Sequence, residues 1–171
     1  MKKLRSVIVQ KQFVNCYSKE FSPGDRSTFE PFLLNIGGIH KQVIYIDIDN
    51  LNFEQCENEE QEAVLLLDLI GKEWQARGFG DLNINAISIA DALHKWSNTL
   101  NIDQKVLLVF HFLHDIYNEK EKNILRSLRR VCRSELSAFL KILIISTQPL
   151  SKWELFPDSN LDERHVTLFL C

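Results

Sequence analysis

The stretch KVLLVFHFL, residues 105–113, is short, apolar and almost unbroken, rich in β-branched and aromatic side chains. A run of this length that is apolar at successive positions reads as a strand covered on both faces, the kind found in a parallel sheet. Two more runs read the same way, QVIYIDI (42–48) and LKILIIS (140–146). FVNCY (13–17) and VTLFL (166–170) are weaker candidates.

Helical patterns lie between these runs. Residues 28–36 are apolar at Phe29, Phe32, Leu33 and Ile36, carry Pro31 in the first turn, and stop at Gly37-Gly38. Residues 59–77 repeat apolar side chains at Ala63, Leu66, Leu67, Ile70 and Trp74, the spacing of one helix face. Ser88 is the predicted N-cap of a helix over 89–100 that buries Ile89, Ala92, Leu93 and Trp96. A further helix over 118–132 buries Ile124, Leu125, Leu128, Val131 and Cys132. Strands alternating with helices predict an α/β domain, a parallel sheet with helices on both faces. Ligands of such sheets bind beyond the carboxyl ends of the strands.

Bulk properties exclude several classes. The chain has 171 residues, one domain by length, with 45% hydrophobic and 25% charged residues. No apolar run reaches the length of a membrane span, so no membrane partner is expected. The start, MKKLRSVIVQKQ, is broken by Arg5 and is not a signal peptide. Cys16, Cys56, Cys132 and Cys171 are far apart, which fits a reducing cytoplasm and neither a disulfide framework nor a zinc knuckle. Cys16, inside a strand, reads as a buried, inert thiol.

The residues after each strand decide the chemistry. SKEFSPGDRST follows the first strand. Laid against the phosphate-binding pattern GxxxxGK[ST], Glu20 and Asp25 replace the two glycines and Arg26 the lysine, while Ser27, followed by Thr28, keeps the hydroxyl. Two carboxylates would repel a phosphate tail, and each lost glycine removes the positive-φ freedom of such a loop. At the end of the third strand His111 and Phe112 stand where an ATPase needs a magnesium-binding aspartate and a water-orienting glutamate. Hard cations want oxygen ligands, which neither side chain offers. After the fourth strand, Ser146, Thr147 and Gln148 keep hydroxyls but no basic residue.

In serial order, SPGDRSTFEPFLLNI, QVIYIDID, VLLVFHFLHDIYN and LKILIISTQPL resemble the phosphate loop with its first helix, the second strand, the Walker B strand and the sensor strand of a P-loop ATPase core of the STAND type, a branch related to AAA+. The resemblance implies a three-layer α/β/α domain over residues 1–171. Its five-stranded parallel sheet would run in the order 5-1-4-3-2, with Val43–Asp47 at an edge and Leu107–Phe110 and Ile142–Ile145 nearer the centre. It implies no lid or winged-helix domain. The departures imply an inactive STAND domain: not an enzyme, with no cofactor and no metal, Asp25, Arg26, Ser27, Thr28, His111, Phe112, Ser146, Thr147 and Gln148 being relics. Its expected role is a protein-interaction module in a bacterial conflict or signalling system of the immune type. One alternative is a nucleotide sensor that binds phosphates through Arg26 and Ser27 without hydrolysis.

Charge points to where a partner would bind. Residues 47–68 hold eight acids and no Lys or Arg, whereas 119–133 hold two acids and six bases. Arg126, Arg129, Arg130 and Arg133 recur at i, i+3, i+4 and i+7 and share one helix face, joined by Lys122. Such a stripe fits an acidic protein surface or self-association. It could also grip phosphates of a nucleic acid through residues 122–133, although no aromatics interleave to stack bases and the net charge is −3. A metal-dependent enzyme built on His111, His114 and Asp115 is a further alternative, opposed by the period of two that sends strand residues 111 and 114 to opposite faces.

Overall fold

The computed structural model describes residues 6–8, 10–17, 42–48, 51–112, 119–133, 136–147 and 165–169, with the side chains of 119–122, 132–133 and 165–169 excepted. The elements are β1 (Phe13–Tyr17), β2 (Gln42–Asp47), α1 (Glu59–Ala76), α2 (Ile89–Thr99), β3 (Val106–Phe112), α3 (Glu119–Arg133), β4 (Leu140–Ser146) and β5 (His165–Phe169). Single 3-10 turns, Phe53–Gln55 and Ile102–Gln104, precede α1 and β3.

All strand pairings among the described residues are parallel. The four strands with described side chains run β1-β4-β3-β2, and the backbone of β5 pairs along the outer side of β1. β2 is therefore an edge and β3 and β4 lie inside, as expected. Every residue of β3 is buried, which explains its unbroken apolar sequence. The exposed side of β2 is blunted by Arg77, whose Nη2 donates to the Val43 carbonyl at 2.7 Å. Glu73 holds that guanidinium from one turn back, at 2.6 Å.

Alternation along the strands divides the core in two. One face carries Ile44, Ile46, Leu108, Phe110, Phe112, Ile142 and Ile144 and packs against α1, α2 and α3. The steps β2 to β3 and β3 to β4 move the same way across the sheet, so right-handed crossovers place all three helices on one side. The other face carries Val14, Cys16, Val43, Tyr45, Leu107, Val109, Leu143 and Ile145, covered among the described residues by Ile8 and Val7. The expected helix over 28–36 lies outside the described residues.

Local signals fix the helix ends. Asn58 caps α1, its side chain accepting from the Gln61 N–H at 3.0 Å, and Glu59, Glu60 and Glu62 occupy the first turn, where the helix dipole favours acids. Three of the eight acids of the run thus have a structural reason. α1 ends in a left-handed Gly78 (φ +84), which lets the chain turn and stack Phe79 on Trp74 at 4.0 Å. Ser88 caps α2 as predicted, accepting from the Asp91 N–H at 3.2 Å. The Asp91 carboxyl is held below the usual carboxylate range, first by the hydrogen bond from Lys95.

Candidate functional site: the carboxyl rim of the sheet

The strands end in one rim, and period two sends its side chains to opposite faces. Asn15, Tyr17, Phe112 and Ser146 belong to the helix-packed face. Tyr45, Asp47, His111 and Cys16 belong to the other. His111 and Phe112, adjacent in sequence, therefore lie on opposite faces of the sheet.

Phe112 is 1% exposed and belongs to the main core. It is in register with Ser146, which is in turn in register with Tyr17. His111 is also 1% exposed, and its Nδ1 shares a hydrogen bond with the Tyr45 hydroxyl, the two rings meeting edge to face at 5.4 Å. Asp47, half-buried, is in register with His111 on the edge strand. Hence the interior strand β3, where a magnesium-binding acid would be needed, ends in a packed phenyl ring and a sequestered imidazole.

Between β1 and β4 lies a polar pair that sequence reasoning missed. Asn15 is fully buried, and its Nδ2 donates to the Ser146 hydroxyl at 3.1 Å and to the Ile144 carbonyl at 3.3 Å. Its Oδ1 has no hydrogen-bond partner among the described residues. Asn15 and Tyr45 could have been noticed as polar groups inside otherwise apolar strand runs, FVNCY and QVIYIDI, since a buried polar atom needs a partner. Next to Asn15, burial pushes the Cys16 thiol up to about 12, so it carries almost no thiolate at neutral pH.

Of the other expected site residues, Thr147 is half-buried just past β4. Asp25, Arg26, Ser27, Thr28, His114, Asp115 and Gln148 lie outside the described residues. The described residues contain no cluster of His, Cys, Asp and Glu that could hold a metal ion.

The basic stripe keeps its apolar back in the core: Ile124, Leu125, Leu128 and Val131 are buried. Arg126 and Arg130 are exposed and Arg129 is half-buried, while the Arg133 side chain lies outside the described residues. Arg126 donates to Asn123 at 2.7 Å. Arg130 reaches Glu59 of the acidic run at 3.4 Å, so the two charge runs meet within the chain. Both partners are more than half exposed, which limits such a pair to about 1 kcal/mol or less. Among the described residues no helix is long and apolar enough to cross a membrane.

No protein-family profile matches the sequence, and no curated protein matches it either. Solved structures do. A structure of Drosophila ORC bound to DNA superposes with a TM-score of 0.55 at 8% identity, covering 99% of this chain and 28% of the other. A Walker-type ATPase of Pyrococcus abyssi gives the same TM-score at 13% identity, covering 98% of this chain and 51% of the other. The chain thus spans about a quarter to a half of the proteins it superposes on. At these identities the likeness is one of fold alone: a parallel α/β sheet with helices, consistent with the P-loop NTPase-like fold.

Proposed function

We propose that the chain is a non-catalytic protein-interaction module built on a P-loop NTPase-like fold of the STAND kind, acting in the cytoplasm in a bacterial conflict or signalling system. The supporting observation is the end of β3. Phosphoryl transfer is almost entirely positioning and charge stabilisation, and it needs a metal held by carboxylates. Phe112 is committed to the core and His111 to Tyr45, so the interior strand offers no such ligand. The degenerate loop at Asp25, Arg26 and Ser27 points the same way. The signalling context rests on the STAND resemblance of the serial motifs.

Calorimetric titration with ATP and magnesium is expected to give no heat beyond dilution, and the purified chain should release phosphate no faster than buffer. Magnesium-dependent ATP binding abolished by Arg26→Ala would replace this reading with the nucleotide sensor.

A protein-interaction module should use its polarised surface. Reversing Arg126 and Arg130 to Glu together is expected to weaken partner binding or self-association in a salt-sensitive way, because exposed charges are screened within about 10 Å at 0.1 M salt. Both side chains are exposed, so the fold should survive, at a cost of about 1–2 kcal/mol that includes the lost Arg130–Glu59 pair and the repulsion that replaces it. Binding to DNA is a property of the Drosophila ORC, and it motivates the competing arm. If the stripe grips nucleic acid, the double variant loses DNA or RNA binding whose affinity falls steeply with salt.

A further inference from the structure

We draw no further inference here: the strongest candidate, the buried Tyr45–His111 side-chain pair at the carboxyl ends of β2 and β3, belongs to the rim already described, and nothing among the described residues shows what would reach it.

Discussion

Phe112→Asp, which returns an acid to the end of β3, is expected to unfold the protein and not to create an ATPase. The ring is 1% exposed and packed among the side chains that join the sheet to its helices. Truncating such a ring costs about 3–5 kcal/mol through lost burial and the cavity left behind. The carboxylate then adds a desolvation cost with no partner built to receive it. A domain of ordinary stability has about 5–15 kcal/mol in total. Far-UV circular dichroism against urea should therefore show a midpoint lowered by most of its range, or no folded baseline, with no phosphate release from ATP. A folded, magnesium-dependent variant would mean that the end of β3 still has the plasticity of a catalytic rim.

Asn15→Asp is the second large effect, and its sign depends on pH. The substitution keeps the shape but replaces a donor amide, aimed at the Ile144 carbonyl and the Ser146 hydroxyl, with a group that accepts when ionised. The site is fully buried, so the charged form is disfavoured and the folded-state pKa of the new carboxyl lies above its unfolded value. When the folded pKa is the higher one, the folded state binds more protons in between, and stability falls as pH rises from the unfolded value through the folded one. The variant should be close to wild type near pH 4, where a protonated carboxyl can still donate one hydrogen bond. It should lose about 3–5 kcal/mol at pH 7, the usual cost of an uncompensated buried charge. Urea midpoints at the two pH values, each compared with wild type, measure this. Equal losses at both would show that water reaches the β1–β4 seam.

Much of the fold was legible because burial leaves a pattern in sequence. LKILIIS is β4 and FVNCY is β1, and KVLLVFHFL overshoots β3 by one residue at each end. The helical stripes through Leu66, Ile70 and Trp74, and through Leu93 and Trp96, do face the core. The segment 78–88 was not legible. Phe79, Leu82, Ile84 and Ala86 pack there without regular structure, so they have no period to reveal them. The site was readable only in its losses. That His111 and Phe112 replace acids is visible in the sequence; that one bonds Tyr45 and the other enters the core depends on strand alternation and neighbour identity. Tyr45 and Asn15 were missed for the same reason: their partners, His111 and Ser146, are 66 and 131 residues away in the chain.

The neighbours of β1 also set a timetable for synthesis. Phe13–Tyr17 pairs on one side with β4 and on the other with β5, and its nearest partner strand lies 129 residues downstream. At a translation rate of about 5–20 residues per second, that apolar strand waits on the order of ten seconds for its first partner. β2 and β3 can meet much earlier, yet their sheet stays open on the β4 side until residues 140–146 emerge. A nascent chain thus exposes an unpaired apolar strand through most of its elongation, the condition under which strand edges recruit wrong partners. Slowing the ribosome between codons 17 and 140 should lower the soluble yield of the chain, and a trigger-factor-type holdase that covers β1 during that interval should restore it.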